Sequence, residues 1–478
     1  MKKISPVFCL FALIGMLLPL FGEAQNRLIR TRPMGTILKD VLAETYGPFV
    51  QYSITTHKVW YLTTGINGKP DTASGLVVFP VVENKSLPLL CYQHGTVDGP
   101  TDVPSNRRGG WELAGVGAAL GYVSLAPDYL GLGESNGFHP YVHAATEASA
   151  AIDLLYATRE LAEKLKFSLN GQLFLTGYSQ GGHASMALHR ELERNYNQDF
   201  PVTAAAHLSG PYSISGETFK RLLSDEPYNY VGYTAWVALS YNQMYNIYDN
   251  IDQLLKQPYA DMAMRFYRHE IGLSELNQQL IDTLTKRHGK PISRLMMQES
   301  VLESISKNPN HPFLLAMRDN DVYDWVPKAP TRMFYCKADD QVTFRNSVLA
   351  DSIMKARGAK NVAAADVNSD ANHGQCVEPA VLQTVFFFAL VQSQVTSVRN
   401  LPQIPVRMYP NPAHEVTRLE GLPAKGYLIM SNLQGQILYR STVTNSAMDI
   451  PLKGLSAGMY ALQLLSEEGA WQGKLMVH

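Results

Sequence analysis

The apolar positions change period several times along the chain, and those changes divide it. Residues 51–80 hold two β-rich runs, "VWYLTT" and "SGLVVFP", separated by the turn signal "GINGKPD". Further on, short apolar runs alternate with helical patterns. "LPLLCYQHG", "GYVSLAPDY", "QLFLTG", "VTAAAHLSG", "TRMFYCKAD" and "NVAAADV" read as strands. "HAATEASAAIDLLYATRELAEKL" and "GHASMALHRELERNY" between them read as helices, with Ala184, Leu188 and Leu192 on one face of the second. Strands without polar alternation are buried on both faces, and strands separated by helices predict an α/β fold, a mostly parallel sheet with helices on both sides.

The alternation fails across residues 213–329. That insertion carries helix-like segments, "ELNQQLIDTLTKRH" and "RLMMQESVLESISK", and a concentration of aromatics: Tyr228, Tyr230, Tyr233, Trp236, Tyr241, Tyr245 and Tyr248. It reads as a helical cap over one edge of the sheet, or as a packing layer whose aromatics fill their own core; tyrosine suits both. Prolines and lost periodicity mark a linker at 396–407. Residues 408–478 then read as short alternating strands, a small all-β domain of sandwich type.

The N-terminus, "MKKISPVFCLFALIGMLLPLFGEAQ", has two lysines, a short apolar run and small residues, the layout of a secretory signal peptide over residues 1–24. The run is short for a membrane span, so no stable transmembrane anchor is expected. Cys9 leaves with the signal. Cys91, Cys336 and Cys376 remain, too few for a disulfide scaffold; either one bridge forms or all three stay reduced and buried.

With 478 residues, 46% hydrophobic and 17% charged, the chain has material for two or three ordinary globular domains. The formal net charge of -1 gives no electrostatic reason to expect nucleic acid. No Walker-type loop or cysteine–histidine zinc spacing is present, and no metal or organic cofactor is expected.

"LTGYSQGGHAS" places Ser179 between Gly177 and Gly181, after a strand and before a helix. A nucleophile at a tight strand-to-helix turn requires very small residues at both glycine positions, and the helix N-terminus favours developing negative charge. The plainer reading makes Ser179 a helix cap. A serine needs a base, and the base a third group to orient it. "FYCKADDQVTF" ends a strand with Asp339 and Asp340, and "NSDANHGQC" places His373 in a loop after the last strand. Asp339 comes first after the strand and is the preferred acid; Asp340 is the alternative. Cys336 and Cys376 flank these two loops, so they are the pair to bridge if the loops meet. Oxyanion donors are expected from the backbone N–H of Gln180, the residue after the nucleophile, and from Thr96 in "YQHGTVDG", where Gly95 permits close approach. His94 precedes the serine and reads as a structural loop residue.

With "HGT", "PDYLGLGES", "GYSQGG", "ADDQV" and "NHG" in that order, residues about 35–395 resemble the α/β-hydrolases, most closely the secretory lipase-like branch. The resemblance implies Ser179 as nucleophile, His373 as base, Asp339 as acid, and a cap between the sixth and seventh strands of the core. It gives "PDYLGLG" a loop-shaping role. "DDQVTF" departs from the pattern, with Thr343 where many relatives have proline, which bears on which aspartate is the acid.

"MYPNPA", "LQGQILY", "LKGLSAGMYALQL" and the closing "KLMV" resemble the sorting domain of type IX secretion cargo in Bacteroidetes. This implies export across both membranes, contact with the secretion machinery and removal of the domain. Without that resemblance the domain would read as a carbohydrate-binding or adhesion module, although Trp471 is its only tryptophan. The combined reading is a secreted or surface serine hydrolase of carboxylic esters, a lipase or esterase acting on small-molecule or lipid esters. A peptidase or acyl-peptide hydrolase with the same triad, and a non-catalytic adhesion protein on the same fold, are the alternatives.

Overall fold

A nine-stranded sheet organises the first four-fifths of the chain, in the order β1-β2-β3-β5-β4-β6-β7-β8-β9. The computed structural model describes residues 26–47, 49–395, 404–432, 437–466 and 469–478. The expected signal peptide and residues 396–403 of the expected linker lie outside the described residues.

Strands β1 (Leu28–Ile37), β2 (Ile54–Thr64) and β3 (Pro70–Pro80) form an antiparallel meander at one edge, with helix α1 (Lys39–Tyr46) between the first two. β3 pairs antiparallel with β5 (Val123–Pro127). From there the sheet is parallel through β4 (Ser86–Gln93), β6 (Ser168–Tyr178), β7 (Val202–Leu208), β8 (Thr331–Tyr335) and β9 (Val362–Asp366).

Alternate residues of the central strands serve opposite layers. Leu89, Cys91, Leu173, Leu175 and Ala205 pack under α3 (Ala144–Lys164) and α4 (Gln180–Asn195) with Leu154 and Leu188. Leu90, Phe174, Ala204, Ala206 and Leu208 face the other way, towards α12 (His373–Val395) and its Phe387 and Phe388. That face also carries α2 (Glu112–Ala119). α11 (Arg345–Ala356) joins β8 to β9 and packs Ala350 and Met354 on the α3–α4 side. Each such leucine or phenylalanine contributes about 1.5–3 kcal/mol by leaving water, which holds the strands that carry the site.

Between β7 and β8 the chain leaves the sheet and forms α5 (Phe219–Leu222), α6 (Val231–Tyr245), α7 (Tyr259–Tyr267), α8 (Leu273–His288), α9 (Glu299–Lys307) and α10 (Pro312–Asp319). Counted from β1 the excursion follows the seventh strand; with β1 set aside as the strand the meander adds ahead of the core, it lies between the sixth and seventh core strands. Its aromatics form a packed core that reaches beyond the excursion itself. Trp236, Tyr241 and Tyr228 are buried in one cluster with Leu276, Leu280 and Met296, which also takes in Phe138 and Tyr141 from the loop before α3. α6 is tied to that loop through Trp236 Nε1–H and Ser240 Oγ–H, both donating to the His139 carbonyl at 3.2 Å.

The described residues of 404–478 form two small antiparallel sheets. One contains β10 (Arg407–Tyr409), β11 (Val416–Glu420) and β14 (Ala447–Pro451); the other contains β13 (Ile437–Val443), β12 (Gly426–Asn432), β15 (Gly458–Ser466) and β16 (Gly469–Val477). Leu419 and Ile450 from the first meet Leu428, Leu462 and Leu475 from the second in a single core. Ile429 and Leu465 on the outer side pack on Leu382 and Phe386 of α12. α12 has the length and composition of a membrane-crossing helix, with mean hydropathy 1.4 over His373–Gln392, but half of that window is buried inside the protein.

Candidate active site

Ser179 sits between the end of β6 and the start of α4 with φ 62° and ψ −123°. A non-glycine residue there carries strain on the order of 1–3 kcal/mol, held only by its surroundings. Those surroundings are backbone. A Cβ on Gly177 would lie 2.2 Å from the Gly181 oxygen, and one on Gly181 would lie 2.0 Å from the Gln93 oxygen. Neither position admits a side chain, so the turn brings β4, β6 and α4 into direct backbone contact. Ser179 N–H donates to the Leu208 carbonyl at 2.9 Å, which anchors the turn to β7.

The loop after β4 lies against this turn. A Cβ added to Gly95 would be 3.8 Å from Ser179 Cβ and 3.3 Å from the Tyr178 oxygen. Next in the chain is Thr96, whose hydroxyl is 2.7 Å from the Tyr141 hydroxyl. Tyr141 in turn stacks on Trp236 of α6 at 4.5 Å between ring centres. His94 is fully buried with Nδ1 2.7 Å from the Gly95 backbone oxygen and Nε2 3.3 Å from the Asp128 backbone oxygen, so both its ring nitrogens face backbone carbonyls.

At the ends of β8 and β9, Asp339 and His373 meet: His373 Nδ1 is 2.7 Å from Asp339 Oδ2. The other Asp339 oxygen accepts from the N–H groups of Gln341 at 3.0 Å and Val342 at 2.8 Å, which fixes the carboxylate. Asp340 takes a different partner. Its Oδ1 accepts from the His373 backbone N–H at 3.1 Å, and its Oδ2 from the Tyr230 hydroxyl at 3.2 Å. His373 is not in a loop, as its glycine neighbour suggested, but is the first residue of α12. Its free N–H at that helix start is what Asp340 satisfies. The two loops are joined covalently by Cys336–Cys376, with Cα atoms 5.9 Å apart; among the described residues Cys91 is the remaining cysteine, free and buried. The reading of three reduced thiols is thereby corrected.

Among the described residues no hydrogen bond joins the Ser179 hydroxyl to His373. Tyr178 links the two segments: its hydroxyl donates to the His373 carbonyl at 2.6 Å, and the two rings are 5.0 Å apart. Nucleophile–base contacts commonly tighten only when substrate binds.

Behind the turn, Gln180 is held by a buried network with no local sequence signal. Its Nε2 donates to His139 Nε2 at 2.8 Å and to Glu147 Oε1 at 2.9 Å. Glu147 Oε2 is 2.7 Å from His183 Nδ1, and His183 Nε2 is 2.9 Å from the Asn320 oxygen. Burial pushes the His139 imidazole down to about 3, against the pull of the Leu130 carbonyl that accepts from Nδ1. It is therefore neutral, as acceptance from Gln180 requires. Among the described residues no cluster of histidine, cysteine and carboxylate side chains could hold a metal ion.

A search of solved structures returns the rice cell wall degrading esterase LipA of Xanthomonas oryzae at TM-score 0.67 and 28% identity, covering 78% of this chain and 98% of that one. The part that holds Ser179, Asp339 and His373 has the α/β-hydrolase fold. Candida antarctica lipase A in its closed state shares the same hydrolase fold at TM-score 0.58 and 15% identity, covering 79% of this chain and 84% of that one. Residues 407–478 match the family model of the secretion system C-terminal sorting domain. That domain directs the hydrolase through the type IX secretion system, to the cell surface or the medium, and brings the secretion machinery in as a partner. Comparison with curated proteins gives no match.

Proposed function

We propose that the chain is an exported serine hydrolase of carboxylic esters. Ser179 Oγ attacks the ester carbonyl while His373 Nε2 takes its proton, and Asp339 holds the imidazole by Nδ1. The backbone N–H groups of Gln180 and Thr96 receive the oxyanion, a contribution of about 3–4 kcal/mol per donor. His373 then gives the proton to the departing alcohol. Water deprotonated by the same imidazole hydrolyses the acyl-enzyme, releasing a carboxylic acid and restoring Ser179. Residues 213–329 act as the cap over this edge, and the sorting domain is removed after export.

The observation that carries this reading is the fixed Asp339–His373 pair at 2.7 Å, tied through the Tyr178 hydroxyl to the turn where the next residue, Ser179, is held at φ 62°. The esterase and lipase among the structural neighbours favour esters over amides. Ser179→Ala is expected to lower kcat/KM on nitrophenyl esters by about 10⁶, with the unfolding midpoint retained. Aminoacyl amides assayed beside the esters decide between the ester and peptidase readings. Faster amide than ester turnover, or ester turnover that survives Ser179→Ala, contradicts the proposal.

A further inference from the structure

On the sheet face covered by α2 and α12, the two helices do not close over β4 and β6. They leave a cavity of about 420 Å³, within the range of small-molecule sites. Its walls are apolar: Leu90 from β4, Val116 and Leu120 from the α2 segment, and Val385 and Phe388 from α12. Leu465 of the sorting domain closes part of the outer side.

The cavity has a direction. Ser86 pairs with Ser168 at the start of the two parallel strands, and Tyr92 pairs with Thr176 near their ends. The lining runs from Lys85 and Asn170 at one end to Tyr92 and Thr176 at the other. The stretch of strand that lines the cavity, six residues at about 3.3 Å each, is about 20 Å long. Its polar mouth lies at the strand starts, opposite the edge where Ser179 sits.

Lys85 is the only charged side chain among the lining residues. Its ammonium donates to the Tyr52 hydroxyl at 2.6 Å and lies 4.9 Å from the centre of that ring. A long apolar channel with one cation at an exposed mouth and no carboxylate in its wall is complementary to an amphiphile with a single negative end. We propose that the channel binds a free long-chain fatty acid, with the carboxylate at Lys85 and the tail along β4 and β6 between α2 and α12. The carboxylate pairs with the ammonium at the rim, where water still reaches both. The tail replaces water along walls that gain nothing from wetting. This site is separate from the chemistry at Ser179 and stands whether or not that chemistry is ester hydrolysis.

The test is equilibrium titration of the full-length protein with the fluorescent fatty acid cis-parinaric acid, displaced by palmitate or by cetyl alcohol. Saturable binding of one probe per chain is expected. Lys85→Glu should weaken displacement by palmitate at least about fivefold, the scale of one exposed charge pair, and leave displacement by cetyl alcohol unchanged. Leu120→Trp and, separately, Val385→Trp place an indole in the channel and should abolish probe binding while ester turnover continues. No saturable binding, binding that survives both folded tryptophan variants, or an equal effect of Lys85→Glu on acid and alcohol would overturn the proposal. Should both tryptophan variants fail to fold, the acid-against-alcohol difference at Lys85 decides alone.

Discussion

Two histidine–carboxylate pairs in this molecule have the same short geometry and different uses. His373 Nδ1 lies 2.7 Å from Asp339, and His183 Nδ1 lies 2.7 Å from Glu147. The difference is in the second ring nitrogen. His183 Nε2 is spent on the Asn320 carbonyl, whereas His373 Nε2 makes no hydrogen bond among the described residues. Exposure follows the same division: the side chains of His183 and Glu147 are both 0% exposed, and that of His373 is 7% exposed. A close carboxylate is thus a poor marker of a base. An oriented imidazole with one nitrogen left over, near a nucleophile, is a better one.

Substitutions at the two pairs should separate chemistry from stability. Asp339→Asn is expected to lower kcat by about 10⁴, as loss of the orienting carboxylate does in such triads, with little change in the denaturation midpoint. Asp340→Asn leaves one amide oxygen for two donors, the His373 backbone N–H and the Tyr230 hydroxyl, and kcat should stay within about tenfold, the scale of one hydrogen bond. Equal losses at the two aspartates would erase the distinction drawn between them. Glu147→Ala leaves His183 and Gln180 without their buried partner and should cost about 3–5 kcal/mol by urea denaturation. Its effect on kcat should be much smaller than that of Asp339→Asn, since only the side chain of Gln180 is released.

A pH-dependent effect comes from His139, another member of the buried group. Its pKa falls from 6.5 to about 3, chiefly because burial disfavours the cation. A folded-state value below the unfolded one means the stability it supports is full above pH 6.5 and is lost as pH falls towards 3. The total is on the order of 5 kcal/mol. His139→Gln should therefore flatten the pH dependence of unfolding across that window. An unchanged slope would place the acid sensitivity elsewhere.

Much of this was legible in the chain, for physical reasons that differ from residue to residue. Ser179 announces itself because the turn forbids side chains at Gly177 and Gly181, so the constraint is local and is written in adjacent letters. The alternating layers on the sheet were readable because strands buried on both faces must be apolar throughout. Asp339 and Asp340 could not be separated in sequence, since adjacent residues differ only in direction; the Gln341 and Val342 N–H groups supply the direction. His373 looked like a loop residue because the glycine beside it weakens a helix signal, while the start of α12 depends on Asp340, 33 residues away, capping its N–H. Glu147 and His139 left no trace at all. Gln180 meets them across separations of 33 and 41 residues, and such contacts follow no motif. Tyr178 was equally silent, because its partner is a backbone carbonyl.

The account depends on His373 activating Ser179, and active-site labelling measures that directly. Purified full-length protein treated with a fluorophosphonate should take up one equivalent, located by peptide mass on Ser179, and His373→Ala should slow the labelling by several orders of magnitude. Label on any other residue, or labelling of Ser179 at an undiminished rate without the imidazole, would contradict it.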